Sequence, residues 1–411
     1  MGADAGVAAI RTRMGRMDIS ELREILSAEG LRLLDSLPPY ESAADVLKSV
    51  TELRKAGHSP AMVAAVLSQS KLRGRGEAKF GPFASRMLFT EAGLEQATRL
   101  QVAALHAGRF RAAGVWRVVD LGCGIGGDAM AMAALELEVT AVERDEVTAA
   151  IAAYNLAPWP NATVVNSDAT AVDVTDFDAV FLDPARRTSG HSNTSRVTNP
   201  ADYSPSLDFA FETAAKLPTG IKLGPGIDRD LIPADAEAQW VSVDRDVVEL
   251  GLWFGTLARP GIRRSALVIG QHGTAELSAE ADSEDAPTGE LGEYLYEPDG
   301  AVIRARLIGD LARRLDATML SDGIAYLTSN SAIETPFATC FRVVDVLPFD
   351  ERALRKQLAA RGIGRLEIKK RGVDLDPAEF RKKLKLKGDN SATLVVTRVA
   401  GRHTALLVER T

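Results

Sequence analysis

The stretch Val118-Val119-Asp120-Leu121-Gly122-Cys123-Gly124-Ile125-Gly126-Gly127-Asp128 restricts what this chain can fold into more than any other. Val118, Val119 and Leu121 form a short apolar run that reads as a buried strand. Gly122, Gly124 and Gly126 carry no Cβ, so the backbone there can turn sharply and come close to a ligand. From Asp128 to about residue 135 the chain reads as a helix whose first amides point at the same spot. A strand, a glycine turn and a helix in this order belong to an α/β sheet. Gly122-x-Gly124-x-x-Gly127 also fits the dinucleotide fingerprint, where a pyrophosphate rests on the helix N-terminus. A plain strand–turn–helix corner would produce the same spacing. Asp120 separates these readings: its carboxylate would crowd a pyrophosphate but suits a ligand carrying an ammonium group.

From Trp116 onward, strand and helix alternate, as in a parallel sheet with helices on its faces. Strands are expected at residues 117–121, 139–142, 163–166, 179–182, 220–223, 238–243 and 247–254, with 265–269 as a further member. Helices are expected at about 128–135, 147–155 and 206–217. No helical pattern follows Asp230, which predicts an antiparallel finish. Glu143 ends the second strand, 19 residues after Gly124. An acid at that place hydrogen-bonds ribose hydroxyls, so it supports nucleoside binding without choosing a cofactor. Asp168-Ala169 follow the third strand. Open α/β sheets bind their ligands at the carboxyl ends of the strands, and these residues share that rim.

The fourth strand ends abruptly in Asp183-Pro184-Ala185-Arg186-Arg187, followed by a Ser/Thr/Asn/Pro-rich stretch at 188–206. Loops of that length inside a domain often act as lids or binding loops. Lys222 stands at the end of the fifth strand, on the same rim, where it could meet a substrate phosphate or orient the Asp183 turn.

A helical leader of roughly 110 residues precedes the sheet. Helices are expected at 18–37, 43–56, 60–69 and 91–112, and the basic, glycine-rich residues 71–81 read as a loop able to touch a phosphate backbone. The formal net charge of −7 argues against indiscriminate nucleic-acid binding, but the charge is uneven. Residues 271–300 hold nine acids and no Lys or Arg, so 271–293 reads as an exposed acidic linker. Residues 341–411 hold 17 Lys or Arg against 9 Asp or Glu, a net of +8. There the order βαβαββ is expected, with Lys369, Lys370 and Arg371 on a turn and Arg381, Lys382, Lys383, Lys385 and Lys387 on the helix at 377–387. That excess of base is the footprint of phosphate binding.

No apolar run approaches the roughly 18 residues of a membrane span, and no signal peptide is read at the N-terminus. Cys123 and Cys340 lie far apart, which suits a reducing, cytoplasmic setting. The five histidines are scattered and form no ligand cluster with cysteine, so no metal is implied.

Asp120-x-Gly122-x-Gly124-x-Gly126 resembles motif I of the class I S-adenosylmethionine (SAM) methyltransferases. Residues 94–99 lie where that class often places a segment that folds over the cofactor. Asp183-Pro184 resembles motif IV of the methyltransferases that act on base amino groups, with Ala185 in place of the second proline and Arg186 in place of the aromatic. An Asp-Pro-x-Arg turn also resembles the uridine C5 methyltransferases, but those need a nucleophilic cysteine on a later strand. Cys123 lies in the glycine turn and Cys340 in the second domain. With residues 222–226, 294–298, 366–372 and 384–388, the chain resembles bacterial class I SAM-dependent methyltransferases that carry a C-terminal THUMP-like domain.

The resemblance implies an α/β fold: a Rossmann-like, seven-stranded class I methyltransferase sheet with an N-terminal helical region and a small THUMP-like α/β domain. It implies four segments: 1–112 helical, 113–270 methyltransferase, 271–293 linker and 294–411 THUMP-like. SAM would lie across Asp120, Gly122, Gly124, Gly126, Glu143, Asp168 and Ala169. Asp183, Pro184 and Arg186 would carry the chemistry. Arg187, Lys222, Lys369, Lys370, Arg371, Arg381, Lys382 and Lys385 would hold the substrate. THUMP domains bind RNA in tRNA-modifying enzymes, so the implied partner is a structured RNA, with tRNA favoured. A small-molecule methyltransferase, a SAM-binding RNA-binding protein without turnover and an NAD-linked oxidoreductase are the other readings.

Overall fold

Helices begin in the leader where a short polar side chain can accept a hydrogen bond from the open first turn. In the computed structural model, which describes residues 17–38, 43–186, 203–271 and 273–411, Asp18 caps α1 (Ile19–Leu26) and Ser27 caps α2 (Ala28–Ser36). The single helix expected over 18–37 is therefore two, divided where Ser27 turns extended. α3 (Ala43–Lys55) follows, and Ser59 with Pro60 starts α4 (Pro60–Phe80).

The basic, glycine-rich segment expected as a loop is the second half of α4. Its residues are held by the protein itself. Arg73 is buried and donates from Nε to the Met87 carbonyl at 3.0 Å and from Nη1 to Asp35 at 2.9 Å. Gly76 lies under Phe89: a Cβ on it would come within 2.9 Å of the Phe89 ring. The long helix expected over 91–112 is also two, α5 (Glu91–Gln96) and α6 (Leu100–Ala112). Ala97 and Arg99 are extended between them.

The chain falls into two units, Met1–Lys222 with Phe254–Leu257 and Leu223–Trp253 with Ala258–Thr411. In the first, β1 (Arg117–Leu121), β2 (Glu138–Glu143), β3 (Ala162–Asn166), β4 (Ala179–Leu182) and β7 (Thr219–Leu223) form a parallel array in the order β7-β4-β1-β2-β3. α7 (Gly127–Ala134), α8 (Glu146–Leu156) and α9 (Leu207–Ala214) connect it. The order reverses between β1 and β4, so a crevice opens beyond their carboxyl ends. β5 (Ala185–Arg186) and β6 (Tyr203–Ser204) form a short antiparallel ladder at the end of the Asp183 turn.

In the second unit, β8 (Glu237–Val243) and β9 (Asp246–Trp253) form the antiparallel hairpin expected past Asp230, turning on Asp244 and Arg245, both with positive φ. β10 (Arg264–Gly270) runs parallel to β8, and β11 (Gly273–Ala279) pairs antiparallel with β10. The start of the acidic linker is thus a strand. Its Glu276 is not left to solvent: Arg259, Gln239 and Ser265 all donate to it. Fully buried Glu237 shares the Arg259 guanidinium.

The rest of this unit holds β12 (Tyr294–Pro298), α10 (Gly300–Arg304), α11 (Ile308–Arg314), β13 (Thr318–Ser321) and β14 (Ile324–Ser329). Then come β15 (Ala338–Pro348), α12 (Glu351–Ala360), β16 (Ile363–Lys370), α13 (Pro377–Leu384), β17 (Asn390–Val399) and β18 (Arg402–Arg410), the βαβαββ order read from sequence. The sheet order is β13-β14-β12-β15-β18-β17-β16. On one face of β17 and β18, Leu394, Val396 and Leu407 pack with Leu354, Leu358, Phe380 and Leu384 of the two helices. On the other, Val395, Leu406 and Val408 pack with Leu320, Ile324 and Tyr326. Among the described residues no helix is long and apolar enough to cross a membrane.

Candidate active site

Strand register brings the candidate residues of the first unit to one rim. Leu121 pairs with Val142 on one side and Leu182 on the other, and Leu182 pairs with Ile221. The residues that follow these positions are Gly122, Glu143, Asp183 and Lys222. The glycine turn is anchored on β2, where the Val142 carbonyl accepts from the amides of Gly122 and Cys123 at 2.9 and 3.0 Å. Gly122, Gly124 and Gly126 have φ of 92°, 56° and 86°, the left-handed region that disfavours side chains. A Cβ on Gly124 would meet no protein atom within 4 Å, so the turn is open there.

Asp120 is buried beneath this turn, and neither carboxylate oxygen has a hydrogen-bond partner among the described residues. Burial, then the neighbouring Asp128 and Asp183, push its carboxyl well above the ordinary carboxylate range. Glu143 accepts from the Gly124 amide at 3.2 Å and the Asp145 amide at 2.9 Å, while burial raises its pKa. Burial also pushes the Cys123 thiol well up, with Asp120 and Glu143 adding to it, so the thiol is no ready nucleophile. Asp168 is exposed on the same rim and accepts from the Thr170 amide and hydroxyl at 2.9 and 2.7 Å, and Ala169 beside it is buried.

Past β4, Asp183 is half-buried and Pro184 is buried. Lys222 Nζ lies 2.5 Å from Asp183 Oδ2. The same ammonium donates to the Thr98 hydroxyl at 2.7 Å, and that hydroxyl donates to Asp128 Oδ2 at 2.6 Å. Asp128 Oδ1 meets His106 Nδ1 at 2.8 Å. Burial alone would raise the Asp128 carboxyl, but the hydrogen bonds from His106 and Thr98 and the Lys222 charge hold it below its usual value. A continuous polar chain thus runs Asp183–Lys222–Thr98–Asp128–His106. The backbone of Arg186 pairs with Tyr203. Arg187 and most of 188–206 lie outside the described residues.

Sequence reasoning missed Thr98 and His106 as parts of this network. Thr98 had a signal: it lies in the 94–99 segment that resembles a cofactor cover, although that segment reads from sequence as the interior of one helix. Buried His106 on α6 had none, because its partner Asp128 is distant in sequence.

In the second unit several basic candidates serve the protein itself. Lys369 Nζ lies 2.8 Å from Glu297, and Arg371 lies over the Tyr326 ring, 5.2 Å from its centroid. Arg381 donates to the Leu366 carbonyl and Lys382 to Glu379, at 2.8 and 2.7 Å. Lys385 and Lys387 are not on the helix as expected: α13 ends at Leu384 because Lys385 is left-handed, with φ 49°. Lys370, Lys383, Lys385 and Lys387 are exposed.

A buried carboxylate without a partner, under a glycine turn that is open above it, fits a ligand that brings a positive charge. SAM, with its ammonium and sulfonium groups, is such a ligand. Residues 118–198 match the family described as methyltransferase domain, residues 338–410 the THUMP domain-like family, and residues 18–76 a domain of unknown function (DUF8688). An uncharacterized SAM-dependent methyltransferase of Mycobacterium tuberculosis (strain CDC 1551 / Oshkosh) is 33% identical over 341 residues, covering 80% of this chain and 90% of that protein. A crystal structure from Porphyromonas gingivalis assigned to the methyltransferases superposes with a TM-score of 0.68 at 22% identity, covering 90% of this chain and 99% of that one. That likeness bears out the α/β fold. By its kinship with the mycobacterial protein, this chain belongs to the SAM-dependent methyltransferases, and its C-terminal part is THUMP-like.

Proposed function

We propose that the protein methylates a base nitrogen in a structured RNA, with tRNA as the favoured substrate. The observation that carries the RNA reading is the THUMP-like fold of residues 338–410 with exposed Lys370, Lys383, Lys385 and Lys387, in a chain whose overall charge is −7. Phosphate contacts of this kind supply affinity and register, whereas the base is chosen at the active site.

In this reading Asp120 faces the ammonium of SAM, Glu143 the ribose hydroxyls, and Asp168 with Ala169 the adenine. Gly122, Gly124 and Gly126 let the backbone approach. SAM, when bound, supplies a methyl carbon made electrophilic by its sulfonium. Asp183 and the Pro184 carbonyl accept hydrogen bonds from the target amine and aim its lone pair, and such positioning supplies much of the acceleration. Asp183 would take the proton that the target nitrogen gives up on receiving the methyl group from the sulfonium. Lys222, paired with Asp183, fixes its carboxylate in place. The Arg186 guanidinium, being planar, is assigned to stack on the base and Arg187 to bind the substrate.

The test is tritiated SAM with total RNA from the source organism deleted for this gene, followed by nucleoside analysis. The expected result is label in one modified nucleoside of tRNA. Absence of label from every RNA, with SAM still bound by calorimetry, would overturn the RNA reading.

A further inference from the structure

Lys79 belongs to the segment whose charge suggested a nucleic-acid contact, yet its ammonium is spent inside the molecule. It stands in the last turn of α4 and donates to the Glu95 carbonyl at 2.6 Å and to the Ala97 carbonyl at 2.7 Å. These carbonyls belong to the end of α5 and to the residue after it, where helix carbonyls lack partners and carry partial negative charge. The next residue is Thr98, whose hydroxyl bridges Lys222 and Asp128. Phe80, adjacent to Lys79, is fully buried and would meet a Cβ on Gly127 at 3.5 Å. The end of α4 therefore touches the site twice, by an aromatic ring on the helix after the glycine turn and by an ammonium on the break before Thr98.

We propose that Lys79 is a positioning residue for methyl transfer: by holding the carbonyls of Glu95 and Ala97 it fixes the extended break between α5 and α6, which sets Thr98 against Lys222 and so Lys222 against Asp183. The proposal rests on the reading of Asp183 as the group that aims the substrate amine. Without Lys79, the Glu95 and Ala97 carbonyls lose the ammonium that donates to both, and the break can relax toward a continuous helix. That relaxation would swing the Thr98 hydroxyl away from Lys222.

The electrostatics give this device a pH dependence. Burial, then the cationic neighbours Arg99 and Lys222, lower the Lys79 pKa to about 8, against the opposing pull of Glu95. On α4, Arg75 faces the same helix end and is paired with Glu91 and Glu95. Above pH 8 the Lys79 ammonium loses its charge, so its hold on the two carbonyls weakens.

The test compares full-length wild type, Lys79→Met and Lys79→Arg. Amide exchange of residues 96–100 is followed by mass spectrometry, and methylation of unfractionated tRNA from the deletion strain by tritium transfer. For Lys79→Met, protection of this segment is expected to fall about tenfold, with kcat down by about tenfold and KM for RNA unchanged. Lys79→Arg restores both. In the wild type, protection corrected for intrinsic exchange falls between pH 7 and 9, and Lys79→Arg abolishes that fall. Unchanged protection in Lys79→Met, or a pH dependence equal in wild type and Lys79→Arg, overturns the proposal. Should Lys79→Met fail to fold, the pH comparison of the other two decides. Should the wild type label no RNA, the RNA reading fails, while the exchange measurements still judge Lys79.

Discussion

Lys222 and Asp183 meet as consecutive exits from two parallel strands: Leu182 pairs with Ile221, and the next residue on each strand completes an ion pair 2.5 Å long. The Lys222 charge also acts on the buried Asp120 and Asp128, pulling the pKa of both downward against burial. Replacing it by methionine leaves several carboxylates without their shared counter-ion. Breaking a buried pair from one side costs about 3–5 kcal/mol. Lys222→Met is therefore expected to lower thermal stability and to reduce kcat at least about 100-fold, measured by melting and by tritium transfer. Activity within twofold of wild type would remove Lys222 from the site.

Asp120 gives a prediction of opposite sign. Its carboxyl binds a proton more tightly in the folded than in the unfolded chain, because burial raises its pKa. Its contribution to stability is therefore present at low pH and is lost as pH rises through the folded value. At pH 7.5 Asp120→Asn should raise the melting temperature of the ligand-free protein, by about 2–4 °C for each kcal/mol relieved. It should also weaken SAM binding at least about tenfold, read by calorimetry. A variant that melts lower and binds SAM normally would contradict the assignment of Asp120 to the cofactor.

Gly76 breaks the usual rule for glycine in a helix. Alanine there would ordinarily stabilise by about 1 kcal/mol. Here the added Cβ would stand 2.9 Å from Phe89 Cζ and 3.3 Å from Ala84 Cβ, and the Phe89 ring is fully buried. Gly76→Ala should cost about 1–3 kcal/mol, seen as a lower denaturant midpoint with an unchanged slope.

The exposed lysines after Phe380 test the RNA reading separately from catalysis. Lys383→Ala, Lys385→Ala and Lys387→Ala combined should weaken binding to all tRNAs alike. The slope of log affinity against log salt should drop by about 0.7–0.9 for each phosphate that the protein no longer neutralises. Lys369→Ala should instead lower stability, because Lys369 is paired with Glu297. Equal salt slopes in wild type and triple variant would put the RNA-binding surface elsewhere.

Much of the first unit was legible in the sequence because its signals are local. The glycine turn, the apolar strands and the acids at their ends lie within a few residues of one another. The Asp183–Lys222 meeting was half legible, since both end strands on one rim and only the strand order was needed to join them. The leader was harder. Residues 71–81 look like a basic loop when solvent is assumed, but Arg73 and Lys79 have backbone carbonyls for partners, and no sequence pattern marks a carbonyl. The acidic stretch failed for the same reason from the other side: Glu276 reads as exposed until Arg259 and Ser265 are brought to it by strand pairing.

Asn155 shows how far the leader and the sheet are one object. Its amide spans three backbone groups, accepting from the Leu88 amide at 2.8 Å and donating to the carbonyls of Leu88 and Ile125 at 3.0 and 2.9 Å. A single side chain thereby stitches the entry to the sheet onto the glycine turn. The methyltransferase part is consequently not a portable module: a chain begun at β1 would leave Asn155 with one of these three bonds and Lys222 without its threonine. Any excised version of this domain that is to keep the glycine turn braced must therefore retain the helices that precede the sheet.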